Sequence, residues 1–172
     1  FIFTSNIDQI TNASHIILPG VGSASAAMRK LSDNGLTKIL PKLTQPVLGI
    51  CLGMQLMCTL SEEDNTKCLD IIPDKAFKLQ ATPETTVPNM GWCKVNFENS
   101  HPLFEGINND SWFYFIHSFA LPVTKHTLAT ASHSDNFSAV INKDNYYATQ
   151  FHPERSAESG SIFLKNFIKI KI

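Results

Sequence analysis

Apolar positions follow two patterns along the chain. In the first half, short unbroken apolar runs alternate with helix-like stripes; in the second half, apolar residues recur in short strand-like groups. The run at 15–18 reads as a strand, stopped by Pro19 and Gly20. Ser23 can cap a helix over 24–31, whose alanines, Met28 and Leu31 make a buried stripe. Gly35 closes that helix, and 36–43 reads as another turn or two, disturbed by Pro41. The next strand, 47–50, is apolar throughout, as expected of a strand covered on both faces in a parallel sheet. A helix over 52–60 follows. Six later strands are expected over 77–80, 93–97, 113–119, 127–131, 138–141 and 146–151, with NKDN (142–145) as a hairpin turn between the last two. A closing helix over 159–170 sets Ile162, Phe163, Phe167 and Ile170 towards the core. Alternation of strand and helix followed by many strands implies an α/β sheet with antiparallel additions. In open α/β sheets, sites form outside the carboxyl ends of the strands, and Gly20, Val21 and Cys51 lie there.

A length of 172 residues suits one domain with a sizeable core. A formal net charge of −1 gives no reason to expect nucleic acid or an anionic membrane as partner. The longest apolar stretch, 46–58, is broken by Gly49, Gly53 and Gln55 and is too short to span a bilayer. The spacings of Cys51, Cys58, Cys68 and Cys93 match no zinc pattern, and no signal-peptide pattern opens the chain. A reduced, cytoplasmic protein without metal or cofactor is the expectation.

One of these cysteines has a chemical setting. GICLG (49–53) has the form of a nucleophile elbow with cysteine in place of serine. Gly49 and Gly53 remove Cβ atoms that would clash around a sharp strand-to-helix turn. The helix starting at Leu52 aims its amino-terminal dipole at the sulfur, which favours thiolate, and the Leu52 N–H can stabilise an oxyanion. Cys58 reads as a packing residue in that helix, and Cys68 and Cys93 have no base-like neighbour in sequence. A base is offered by His152 in QFHPE: Pro153 biases it to an extended conformation, where residues i and i+2 share a side, so Glu154 neighbours the imidazole. Thiol, imidazole and orienting carboxylate make a triad. The order Cys, His, Glu differs from that of α/β-hydrolases, which argues against an esterase.

GICLGMQ (49–55) and FHPE (151–154) resemble the triad segments of the class I glutamine amidotransferases. ILPGVGSA (17–24), SEE (61–63), MGW (90–92), YFIHSF (114–119) and QFHPERS (150–156) are similar, in matching order, to the glutaminase subunits of imidazole glycerol phosphate synthases. The resemblance implies a flavodoxin-like sheet with antiparallel additions in one glutaminase domain over 1–172. It also implies that a further amino-terminal strand and helix precede this stretch, leaving the domain N-terminally incomplete. By the same resemblance, Cys51, His152 and Glu154 would hydrolyse glutamine through a thioester. The backbone of Gly20, Val21 and Gly22 would join Leu52 at the oxyanion. Gln55 and Glu63 would bind the substrate amino-acid group, and His117 and Ser118 would receive its carboxylate. The ammonia would pass to a (β/α)8-barrel cyclase partner making imidazole glycerol phosphate in histidine biosynthesis. Asn89, Met90, Trp92 and Arg155 would form the partner interface. PNMGWC (88–93) departs from the family's P-H-M-G-W-N at Asn89 and Cys93. That departure leaves two alternatives open: a paralogue feeding another synthase, such as one amidating a sugar, and a catalytically silent interaction module.

Overall fold

The computed structural model describes residues 1–97 and 101–171. A short helix, α1 (Ile7–Thr11), is capped by the Asn6 side chain, which accepts from the Gln9 N–H, and leads to strand β1 (Ile16–Leu18). Helix α2 (Ala24–Asp33) starts where the Ser23 hydroxyl accepts from the Ala26 N–H, as the sequence leads one to expect. Gly35 takes a left-handed φ of 70°, and two 3-10 turns, Leu36–Lys38 and Leu40–Lys42, fill the stretch that Pro41 disturbs. Strand β2 (Val47–Ile50) is buried at all four positions. Helix α3 spans Leu52–Leu56 only, and Cys58 lies beyond its end rather than within it. Strands β3 (Leu60–Ser61), β4 (Thr66–Lys67) and β5 (Lys75–Lys78) follow, then the long pair β6 (Asn89–Val95) and β7 (Ser111–His117). After β8 (Phe119–Ala120) come β9 (Thr127–Ser132), β10 (Asn136–Lys143), β11 (Tyr146–Thr149) and the closing helix α4 (Ala157–Lys169).

The central sheet runs β1-β2-β11-β10-β9. β1, β2 and β11 are parallel, and β10 and β9 add antiparallel strands. Alternate residues feed the two faces. Leu48, Ile50 and Tyr147 join Phe113, Phe115, Phe137, Phe151, Phe163 and Phe167 on one side. Val47, Tyr146 and Ala148 join Met54, Leu56, Met57 and Ile72 on the other. The β6–β7 ribbon stands apart from the central sheet, bridged to β9 through Asn96 and Thr130. Among the described residues no helix is long and apolar enough to cross a membrane.

Among the boundaries that differ from the sequence reading, such as 77–80 found as Lys75–Lys78 and 113–119 found as Ser111–His117, two have a plain physical reason. The helix expected over 52–60 stops early because its last carbonyls are taken elsewhere. The 69–72 segment donates its N–H groups to Leu56, Met57 and Cys58 at 2.8–2.9 Å, so the apolar run folds back instead of propagating. The strand expected at 93–97 starts instead at Asn89, because Gly91, at φ 141°, is absorbed into full pairing with β7 from Asn89↔His117 to Val95↔Ser111.

Candidate active site

The elbow forms because β2 ends against β1 and α3 with no room for side chains. A Cβ on Gly49 would meet the Gly53 backbone at 2.8 Å, and one on Gly53 would collide with the Leu18 carbonyl oxygen. Cys51 itself takes φ 52° and ψ −105°. That region is sparsely populated for a side chain bearing Cβ, at a cost of about 1–3 kcal/mol. The strain is held by Cys51 N–H donating to Thr149 O at 2.7 Å and by its carbonyl accepting from Met54 and Gln55.

The parallel register delivers the rest. Ile50 pairs with Thr149, so the chain beyond β11 runs Gln150-Phe151-His152 alongside the elbow. His152 is extended, at φ −97° and ψ 96°, as a residue before proline should be. Its Nδ1 lies 2.7 Å from Glu154 Oε1. The contact arises differently from the expected extended i, i+2 spacing: Pro153–Arg155 is a 3-10 turn that curls the carboxylate back to the ring. The turn is anchored twice. The Ser156 hydroxyl donates to His152 O at 2.7 Å and accepts from Tyr114 N–H at 2.9 Å, while His152 N–H donates to Tyr114 O at 2.9 Å. On α4, Gly160 packs so close to the Pro153 carbonyl that a Cβ there would collide with it.

Cys51 is 8% exposed and His152 7%. The Cys51 thiol donates to Ile116 O at 3.6 Å and accepts from Gln150 Nε2 at 3.7 Å. Burial pushes it up to about 11; the Leu52 N–H pulls it down, the Glu154 carboxylate pushes it up, and the Gln150 amide pulls it down. The resting nucleophile is therefore a thiol turned to the Ile116 carbonyl. Burial also raises Cys58, Cys68 and Cys93, and among the described residues none of the four cysteines, Cys51 included, hydrogen-bonds an imidazole; Cys51 alone of the four feels the Glu154 carboxylate that pairs with His152.

Other expected residues fall at several distances from this centre. Gly20 abuts the start of α3, where a Cβ would lie 2.8 Å from Leu52 Cβ; Gly22 has φ 95° and Val21 is 89% exposed. Gln55 lies one helical turn after Cys51, and its Nε2 donates to Phe119 O at 3.0 Å. Glu63 is more than a surface acid: its Oε2 accepts the Ala24 N–H at 2.6 Å, capping α2 beside the 20–22 loop. His117 is buried, with Nδ1 2.9 Å from Phe119 O and Nε2 3.0 Å from Asn89 Nδ2. The first bond makes Nδ1 the protonated nitrogen and Nε2 the acceptor. Burial lowers its pKa to about 4, so the ring is neutral. Ser118 O accepts from Leu79 N–H at 2.9 Å and ties the ribbon to β5.

The ribbon corrects one expectation. Asn89, expected at a partner-facing surface, is 2% exposed. It faces inward because β6 alternates, with Asn89, Cys93 and Val95 turned in and Met90, Trp92 and Lys94 turned out. The Cys93 thiol donates to Asn89 Oδ1 at 3.6 Å, so the two departures in PNMGWC satisfy each other internally. Outside, Met90 lies opposite Ile116, Trp92 opposite Tyr114 and Lys94 opposite Trp112. Met90, Trp92, Trp112 and Ile116 are exposed, and the Arg155 guanidinium sits over the Tyr114 ring at 4.8 Å. The sequence reading passed over Gln150, Ser156 and Tyr114. Gln150 was the discoverable one, being two residues before His152 and so on its side of an extended segment.

A family model for "Glutamine amidotransferase class-I" matches residues 3–170. The chain is 50% identical over 166 residues to the "Imidazole glycerol phosphate synthase subunit HisH" of Pasteurella multocida, covering 96% of this chain and 83% of that one. It is 45% identical over 171 residues to a "HisH 2" subunit of Legionella pneumophila, covering 99% and 86%. Among solved structures, a protein of Thermoplasma acidophilum described as a putative GMP synthase subunit superposes with TM-score 0.68 at 22% identity, covering 94% of this chain and 74% of that one. The glutaminase domain of a Trypanosoma brucei CTPS superposes with TM-score 0.66 at 16% identity, covering 96% and 75%; these two show shared fold.

Proposed function

The chain belongs to the class-I glutamine amidotransferase family, and from that premise we propose that it is the glutaminase subunit of an imidazole glycerol phosphate synthase, hydrolysing glutamine to glutamate and ammonia. The observation that carries this is the strained elbow of Cys51, whose thiol feels the charge of the Glu154 carboxylate that pairs with His152, in a chain about half identical to such subunits. Cys51 Sγ turns from the Ile116 carbonyl and gives its proton to His152 Nε2. The thiolate attacks the side-chain amide carbon, and the carbonyl electrons move to oxygen, which the Leu52 N–H and the 20–22 loop receive. His152 returns the proton to the departing nitrogen, ammonia leaves, and a thioester remains. Water, deprotonated by His152, then releases glutamate and restores the thiol. Glu154 fixes the tautomer with the proton on Nδ1 and balances the imidazolium. Gln55 and Glu63 hold the substrate's amino-acid group, and the 117–118 backbone its carboxylate.

Ammonia released in this way needs a sheltered route to an acceptor. We assign the outward face of the β6–β7 ribbon, Met90, Trp92, Trp112 and Ile116 with Arg155 at its border, to docking of the (β/α)8-barrel cyclase. Aromatic residues with a guanidinium at the rim are the usual composition of such a core. The departures at Asn89 and Cys93 leave this outer face unaltered, so they give the rival of a different synthase no support. Mixing the chain with a cyclase subunit and the cyclase's nucleotide substrate should give imidazole glycerol phosphate with glutamine as the nitrogen source. Cys51→Ala should lose that synthesis and keep synthesis from ammonium salts. A stable complex that makes no product from glutamine would overturn the assignment.

A further inference from the structure

Gln150 is fully buried, at 0% exposure, directly beside the nucleophile. Its Nε2 donates to Cys51 Sγ at 3.7 Å, while its Oε1 has no hydrogen-bond partner among the described residues. A buried amide oxygen without a donor costs stability, whereas an apolar side chain of the same length would fill the space without that cost. The fold thus gives up stability to keep an N–H aimed at the sulfur. We propose that Gln150 is the residue that holds the Cys51 thiolate in place for attack. This rests on the reading of Cys51 as the nucleophile.

The geometry gives Gln150 a task that the other neighbours cannot share. In the resting thiol, S–H donates to Ile116 O. Once the proton passes to His152, that carbonyl faces a sulfur carrying the remaining electron pair and repels it. Among the described residues two donors are then left, the Gln150 amide and the Leu52 N–H. The Leu52 N–H is required by the substrate oxygen as the S–C bond forms and the C=O π electrons move to oxygen. Gln150 has no such competing task among the described residues, since its backbone N–H goes to Ala139 O and its side chain bonds only the sulfur there. Hydrogen bonds to an ionised acceptor are roughly twice as strong as neutral ones, so the contact favours thiolate over thiol. The titratable groups around Sγ are Glu154, which opposes the thiolate, His152, hydrogen-bonded to Glu154, and His117, neutral at the end of β7.

The test follows Cys51 alkylation by iodoacetamide in the full chain, resolved from Cys58, Cys68 and Cys93 by peptide mass spectrometry, between pH 6 and 10. Gln150→Met keeps length and removes the donor. Its Cys51 acidity should fall by about one pKa unit, cutting thiolate roughly tenfold, while the more basic sulfur regains about threefold in nucleophilicity. The variant should therefore react about threefold more slowly throughout this range. In the isotope-labelled wild-type chain, the Gln150 side-chain amide carbonyl resonance, followed from pH 8 to 12 across the raised Cys51 pKa of about 11, should shift as Cys51 ionises, which packing alone would not produce. A folded Gln150→Met with wild-type rates, or a Gln150 amide resonance that stays constant while Cys51 titrates, overturns the proposal. If Gln150→Met does not fold, the wild-type resonance decides. Neither measurement consumes glutamine, so either outcome is independent of whether the chain proves to be a glutaminase.

Discussion

Gly53→Ala tests the packing that creates the nucleophile. On an unobstructed helix, replacing glycine by alanine stabilises by about 1 kcal/mol. Here the new Cβ meets the Leu18 carbonyl oxygen, with the Leu18 carbonyl carbon at 3.1 Å. No rotamer relieves a clash between Cβ and backbone, so either α3 or the end of β1 must move. Overpacking of this kind costs about 1–3 kcal/mol, and the lack of any side-chain escape places it in the upper part of that range. The net effect is about 1–2 kcal/mol of destabilisation after the helix-propensity gain is subtracted. For a domain of this size that lowers the thermal midpoint by about 2–8 °C. Displacement of α3 also withdraws the Leu52 N–H from Sγ, so Cys51 alkylation should slow. Thermal unfolding followed by circular dichroism, with alkylation kinetics on the same sample, reads both effects. A midpoint equal to or above wild type would show that the propensity gain wins and that α3 is not clamped against β1.

Further outcomes follow from the same geometry. Gly160→Ala should also lower the melting temperature, because its Cβ meets the Pro153 carbonyl, and should reduce glutaminase activity by shifting the His152 turn. Glu154→Gln removes the charge 2.7 Å from His152 Nδ1 and should lower kcat by up to about 10⁴-fold with KM little changed, read by steady-state glutamate release. His117 has its folded pKa depressed from 6.5 to about 4, so below about pH 6.5 the unfolded chain binds a proton that the folded chain refuses. Its contribution is therefore intact above pH 6.5 and is lost as pH falls towards 4, by about 3 kcal/mol at most. Denaturant titrations from pH 7 to 4 should lose less stability in His117→Gln than in wild type. Trp92→Glu should weaken cyclase binding at least tenfold and leave Cys51 alkylation in the free chain unchanged, because the Trp92 side chain is on the outward face, 48% exposed, and makes none of the sulfur's hydrogen bonds.

Local signals made the centre of the site legible. The glycines around Cys51 and the proline after His152 state backbone requirements, and both residues adopt the conformations those neighbours permit. The all-apolar 47–50 run announced a strand buried on both faces between parallel partners. Properties fixed by distant chain were hidden. The length of α3 is set by amides from 69–72, twelve to fifteen residues beyond the carbonyls they bond, which an unbroken apolar run cannot announce. Glu63 looks like a member of an acidic surface run until the fold brings it to the amino end of α2. Asn89 looks like part of an interface motif until pairing with β7 fixes which alternate residues point inward. The link between Gln150 and the thiol exists only once β11 lies beside β2 in its parallel register.

The proposed chemistry depends most on Cys51 as the residue that attacks glutamine. The direct measurement is peptide mapping of the chain, in complex with its cyclase, after reaction with an electrophilic glutamine analogue. The prediction is one label per chain on Cys51, prevented by excess glutamine and absent from Cys51→Ala. A label on Cys58, Cys68 or Cys93 in place of Cys51, or labelling of Cys51 that glutamine does not slow, would contradict it.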